Sequence, residues 1–338
     1  MSGCFVFSVF LCFNDIMMRD AIQNFAAQFT FQPKLENAHR LPKYRQYILL
    51  GMGGSHLAAD LALVTRPDLP LVIHSDYGLP ALPAKELKSS LVIASSYSGN
   101  TEEALDGFDE ARKKRLPAVA IAVSGELITQ AKKYRAPYIL LPDTGIQPRS
   151  ALGFSIMALM KVMNEEQELK RLHRLAKTLK PATLEAAGQA LAERLKHSIP
   201  VIYSSRRNQS LAYNWKIKFN ETGKVPAFYN VLPELNHNEM TGFDVRPASR
   251  PLSEHFYFLF LRDTADHPRV QKRMRIIDGL YRDRGLRVEV IPLAGKNVYE
   301  KIFRSLLLAD WAAVHTAALN ELESEQVPMV EEFKRLMK

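Results

Sequence analysis

Short apolar runs that end in glycine or serine alternate along this chain with longer stretches of helical period. Residues 47–51 (YILLG) predict a buried strand closed by glycine, and residues 55–64 the helix that follows. Further strands are predicted at 71–73, 91–94, 118–123 and 138–141, a helix at 101–115, and an apolar helix at 151–163. Strands alternating with helices in this way mean a parallel sheet with helices on both faces. Residues 169–195 read as polar and helical and carry the chain to a second half. There, strands at 200–203, 256–261 and 288–293 alternate with helices at 209–219, 269–284 and 299–319, without obvious sequence repetition. The expected fold is α/β, with a first domain at 17–165, a helical connection at 166–195 and a second domain at 196–338.

Composition excludes several classes without changing that picture. The 338 residues are 47% apolar and 24% charged, which argues against disorder, collagen and coiled coil. The two cysteines, Cys4 and Cys12, cannot staple the fold, and no Cys or His cluster has zinc-ligand spacing. A cytoplasmic location fits this cysteine usage. The balance of 45 basic against 36 acidic residues, a net +9, raises nucleic acid, membrane surfaces and anionic metabolites as partners. The basic residues are scattered, however. The runs at 112–115 and 170–180 read as solvated helix faces, and no zinc-finger, helix-turn-helix or RNA-binding signature occurs. Neither a nucleic-acid nor a membrane partner is expected.

The first sixteen residues differ from the rest. Residues 4–13 (CFVFSVFLCF) are too short to span a bilayer and lack the basic flank and cleavage site of a signal peptide. Met17 and Met18 open an ordinary amphipathic stretch at 19–29. The expectation is a start at Met17 or Met18, with 1–16 a non-native or extra extension. The alternative is a short membrane or partner anchor.

Two loops carry candidate chemistry. Gly51-Met52-Gly53-Gly54-Ser55 joins a strand to a helix, where glycine lets the backbone approach a ligand and the helix offers free N–H groups. It matches neither the dinucleotide fingerprint nor the Walker A loop, and alone it reads equally well as a tight turn. Ser96-Tyr97-Ser98-Gly99-Asn100-Thr101-Glu102-Glu103 again leads from a strand into a helix. Its hydroxyls and the orphan N–H groups suit a phosphate monoester. Capping by Asn100 or Thr101 explains part of this loop but does not require Ser96 and Ser98. Both loops lie at strand carboxyl ends, where open α/β sheets bind ligands.

S-x-S-G-x-T-x-E after a strand resembles the phosphosugar signature of sugar isomerase (SIS) domains, and two such domains fit the chain length. Residues 218–224 (KFNETGK), 226–230 (PAFYN) and 232–239 (LPELNHNE) closely resemble the bifunctional phosphoglucose/phosphomannose isomerases, a branch of the phosphoglucose isomerase superfamily. Residues 147–153 (QPRSALG) also look like that family, and the resemblance runs from about Tyr47 to Ala318.

The resemblance implies two SIS-type domains and an aldose–ketose isomerase. Its substrates would be glucose 6-phosphate, mannose 6-phosphate and fructose 6-phosphate, interconverted through a cis-enediol. By motif match Glu221 is the base, His237 opens the sugar ring, and Arg149 stabilises the enediolate. Gly54, Ser55, Ser96, Ser98 and Thr101 would hold the phosphate. The family also uses a lysine near its C-terminus. Residues 327–334 depart from the usual pattern, and Lys334 is the nearest counterpart, with Arg335 and Lys338 as alternatives. Taken singly, each reads better as a solvated helix position. The resemblance further implies a homodimer with composite sites, no metal or other cofactor, and a place in glycolysis and gluconeogenesis. A non-catalytic sugar-phosphate sensor would keep Ser96, Ser98 and Thr101 but would not need Glu221 and His237. A glutamine-fed aminosugar synthase lacks room for its glutaminase domain before Tyr47.

Overall fold

A computed structural model describes residues 17–39 and 41–337. The expectations about residues 1–16, and Lys338 as a candidate lysine, lie outside the described residues. Two compact units emerge, one spanning Asn24–Leu179 and the other joining residues 17–23 with residues 180–337.

The first unit is built on strands β1 (Leu35–Glu36), β2 (Gln46–Leu50), β3 (Leu71–His74), β4 (Ser90–Ser95), β5 (Ala118–Ala122) and β6 (Tyr138–Leu140). Their order is β1-β6-β5-β4-β2-β3, parallel throughout except for β1, which pairs antiparallel with β6 at the edge. The central strands are apolar on both faces because helices cover both. Ile48, Leu50, Val92, Ala94, Ala120 and Ala122 pack against Phe108, Ala111, Leu127 and Ile128 of the helices Glu102–Lys113 and Gly125–Lys133. The alternate residues Leu49, Ile93, Val119 and Ile121 are equally buried on the opposite face. The chain leaves β2 toward β3 and returns to place β4 on the other side of β2, so the switch point of the sheet lies between β2 and β4. The two candidate loops follow these two strands.

The second unit holds β7 (Ile199–Ser205), β8 (Phe228–Leu232), β9 (Phe256–Arg262) and β10 (Arg287–Pro292), all parallel, in the order β10-β9-β7-β8. The helix Val298–Leu319 is long and apolar enough to cross a membrane, but 78% of its most apolar window is buried inside the protein, as in a core helix. It lies so close to the helix Glu185–Leu195 that a methyl group on Gly188 would come within 2.4 Å of Trp311 Cβ.

The structure departs from the sequence-based elements in a few places. Residues 169–195 are several pieces: Glu166–His173, Leu175–Thr178, a 3-10 turn at Pro181–Leu184, and Glu185–Leu195. Pro181 has no N–H to donate and disfavours helical backbone at Lys180, which breaks the run. The helix Gly125–Lys133 and the strands β1 and β8 were absent from the expected elements. β8 escapes pattern reading because its first residues are half-buried or exposed. Residues 17–23, expected to open the first half, group with the second: Arg19 pairs with Glu185 at 2.5 Å and stacks over Trp311.

Candidate active site

In the first unit the loops after β2 and β4 are laced together. Ser95 Oγ donates to the Ser55 carbonyl at 3.0 Å, and Ser55 Oγ accepts from the Tyr97 N–H at 3.0 Å. Ser96 is fully buried behind the loop. Its hydroxyl donates to Thr101 Oγ1 at 2.8 Å and accepts from the Gly99 and Thr101 N–H groups at 3.1 and 3.2 Å. Ser98 is exposed at the surface of the cradle, and Thr101 is half-buried at its rim. Gly99, at φ +75°, runs so close to the Ser124 carbonyl that a Cβ would overlap it.

Capping does not account for this loop. Thr101 is the N-cap of the helix Glu102–Lys113 but makes no side-chain capping bond. Asn100 serves a different helix: its Oδ1 accepts from the Glu126 N–H at 3.0 Å, in the first turn of Gly125–Lys133. The opening N–H groups of Glu102–Lys113 therefore lack a side-chain cap beside Ser98 and Thr101.

Arg149 sits in the 3-10 turn Pro148–Ser150, buried, directly against the first glycine loop. A methyl group on Gly54 would lie 2.8 Å from the Pro148 carbonyl carbon and 3.0 Å from the Arg149 nitrogen. Gln28 holds the turn from below. Its Nε2 donates to the Ser150 carbonyl at 2.7 Å, and its Oε1 accepts from Gly153 and Phe154 N–H at 2.9 and 3.3 Å. Gln28 thus caps the helix Leu152–Val162 from more than a hundred residues away, and no local pattern could have flagged it. Gly54, Ser55, Ser96, Ser98, Thr101 and Arg149 are all in this unit, around the switch point.

Glu221, His237 and Lys334 belong to the second unit. Glu221 ends the helix Gln209–Glu221, which runs from the carboxyl end of β7 back to the amino end of β8. That helix is fastened to the core helix Val298–Leu319 by Trp215 Nε1, which donates to Ser305 Oγ at 3.0 Å, and by a buried Lys218–Asp310 pair at 2.5 Å. Lys224, at φ +57°, donates its ammonium to the carbonyls of Glu221 and Gln326, tying the end of the helix to the C-terminal segment. Lys224 lies within the KFNETGK motif, where the sequence alone assigns it no task. Lys334 lies on the helix Pro328–Leu336, exposed and paired with Glu331 at 2.7 Å on its own helix.

His237 is exposed at the end of the 3-10 turn Glu234–His237, beyond the carboxyl end of β8. Glu221 and His237 are therefore at opposite ends of β8, whose five residues extend about 17 Å at ~3.3 Å each. Within one chain they do not converge.

Among the described residues, the second sheet shows no counterpart of the serine cradle. At the carboxyl ends of β7 and β9, Ser205 Oγ donates to Asp266 at 2.7 Å, and Asn208 Nδ2 reaches Asp263 and Asp266 at 3.3 and 3.2 Å. Lys301 pairs with Asp263 at 2.6 Å. Burial raises the Asp266 pKa; Asp263 is also penalised by burial, but the bonds from Lys301, the Ala265 N–H and Asn208 outweigh it and keep its pKa low. The chain's own carboxylates take the polar groups that an anion would need there. Among the described residues no group of three or more His, Cys, Asp or Glu side chains is arranged to hold a metal ion.

Two parallel sheets in tandem, the first carrying a serine-lined cradle at its switch point, define a protein of the sugar isomerase fold. Among solved structures, glucosamine-6-phosphate deaminase from Thermotoga maritima shares that fold, with a TM-score of 0.68 over 93% of this chain and 97% of that one, at 13% identity. The family model described as bacterial phospho-glucose isomerase C-terminal SIS domain matches residues 185–337. A bifunctional phosphoglucose/phosphomannose isomerase of Aquifex aeolicus is 30% identical, over 94% of this chain and 97% of its own length. One from Caldicellulosiruptor bescii is 32% identical, over 85% of this chain and 88% of its own. The chain belongs to the bifunctional phosphoglucose/phosphomannose isomerase family.

Proposed function

We propose that this protein is an isomerase that interconverts glucose 6-phosphate and mannose 6-phosphate with fructose 6-phosphate. Beyond the family match, the observation that carries this reading is the cradle. A helix N-terminus without a side-chain cap, with Ser98 and Thr101 at its mouth and Ser55 laced in beside it, offers N–H and O–H donors to one phosphate. The sensor alternative is disfavoured by relatives of nearly equal length that are named as enzymes.

The proposed chemistry follows from what each side chain can do. The phosphate anchors the sugar, with Ser96 shaping the loop from behind. His237 transfers a proton at the ring oxygen to open the sugar. Glu221 takes the proton from C2 of the aldose and returns it to C1, while the hydroxyl proton on O2 moves to O1, giving the ketose. The guanidinium of Arg149 offsets the negative charge that develops on the enediolate oxygens. Glucose and mannose differ only in configuration at C2 and give the same enediol, and one base serves both when the open chain turns about C2–C3 to present either proton. The lysine role remains with Lys334 as the proposed residue, on a helix tethered near Glu221 through Lys224 and Gln326.

The active form we propose is a cytoplasmic homodimer in which the histidine loop completes the partner's site. The placement of Glu221 and His237 at opposite ends of β8 supports it, because a single chain leaves the two apart. Sugar phosphates as substrates fit a role in glycolysis and gluconeogenesis.

A coupled assay of purified protein with each hexose 6-phosphate tests the activity: both should yield fructose 6-phosphate, and turnover of neither would sink the reading. A second measurement tests the cradle. Ser98→Ala combined with Thr101→Val should raise KM while changing kcat much less, because the phosphate does not react and its binding is uniform along the path. An unchanged KM for fructose 6-phosphate would move the phosphate site elsewhere.

A further inference from the structure

We infer that Glu239 is the positioning residue that holds His237 at the crown of its loop, an inference that rests on the ring-opening reading of His237. The loop is anchored two residues to either side of the histidine. Before it, Leu235 is fully buried in the core cluster that includes Tyr203, Leu232 and Phe258. After it, the Glu239 carboxylate takes a hydrogen bond on each oxygen: from the Tyr203 hydroxyl on β7 to Oε1, and from the Asn230 amide on β8 to Oε2.

Both donors are themselves fixed. Asn230 Oδ1 accepts from the Val231 N–H at 2.8 Å, so its amide nitrogen is turned toward the carboxylate. The Tyr203 hydroxyl also lies 3.3 Å from that of Tyr281, and both rings are fully buried. Burial raises the pKa of both phenols, that of Tyr281 to about 12, and so keeps them protonated donors at neutral pH. The chain then enters the core at Phe243, whose ring is 4.8 Å from Phe258 and 5.7 Å from Tyr281.

A purely structural anchor at this point needs only an apolar side chain, which Leu235 already supplies on the other side. A carboxylate is costly to desolvate unless its hydrogen bonds are made. In return it sets direction as well as distance, since its two oxygens are each bonded to a different strand. The exposed imidazole between the anchors thereby keeps one reach and one angle, as a group delivered into a site on another surface requires.

The test is Glu239→Gln, which preserves size but sets an amide N–H₂ against the donors of Tyr203 and Asn230. On cyclic glucose 6-phosphate, kcat should fall by about tenfold or more while KM changes little. Turnover of an open-chain substrate analogue should stay near that of the unaltered protein. Tyr203→Phe, which removes one of the two bonds and keeps the ring, should give a smaller loss in the same direction and serves if the first variant does not fold. Equal losses on the cyclic and open-chain compounds in folded protein would overturn the positioning role, as would no loss on either. His237→Ala separates the two readings. If it spares the cyclic sugar, the ring-opening role has failed; if it is selectively impaired and both Glu239→Gln and Tyr203→Phe are not, only the positioning role has.

Discussion

Glu221→Gln is expected to keep the fold and bind substrate but to lose activity by ~10²–10⁴, the usual contribution of a positioned general base. The amide has nearly the volume of the carboxylate but cannot accept the carbon-bound proton. Three contacts that secure the helix leave the carboxylate out. The Lys218–Asp310 pair, the Trp215–Ser305 hydrogen bond and the contact of Lys224 with the Glu221 backbone carbonyl all survive the substitution. The thermal midpoint should therefore move little while kcat collapses. A variant that retained more than about a tenth of the original kcat would rule out Glu221 as the base.

His237→Ala should impair turnover of the cyclic sugar far more than that of an open-chain analogue, since the histidine is assigned to ring opening and Glu221 to the proton on carbon. The side chain is exposed at the end of its turn, so its removal should leave the fold intact. The larger effect is in mixtures. Glu221→Gln and His237→Ala are each expected to be inactive as homodimers, yet subunits exchanged by co-expression or joint refolding should regain activity. In a heterodimer with composite sites, one site has both residues intact and the other has neither. Verified heterodimers with no recovery would mean that both residues act from one chain.

The central strands that could be read in advance share a physical feature: they are continuous in sequence and buried on both faces. β2, β4 and β5 are nearly unbroken apolar runs, because a parallel sheet covered on both sides leaves no polar alternation. The glycine and serine loops after β2 and β4 stand out because backbone turns and helix N-termini demand those residue types in consecutive positions. β8 is a strand that the sequence pattern does not predict, although its residues fall within a family motif. It lies at the edge of its sheet with its first residues partly in solvent, so the pattern there is neither continuous nor alternating.

By itself, then, the sequence determined the α/β class, the two sheets, the glycine and serine loops and the family, because each rests on local propensity or on a contiguous motif. The tertiary structure alone decided which serine faces outward. Ser96 and Ser98 have the same spacing and chemistry, but the packing of Gly99 on Ser124 turns one behind the loop and leaves the other at its mouth. It alone decided that Asn100 caps a different helix, that Gln28 braces the Arg149 turn, and that Glu239 is bonded to Tyr203 and Asn230. It also set Glu221 and His237, sixteen positions apart, at opposite ends of one strand. The reason is the same throughout. A hydrogen bond between distant segments leaves no periodic trace in either, and a crossover that returns to a parallel strand places the residues before and after that strand at its opposite ends.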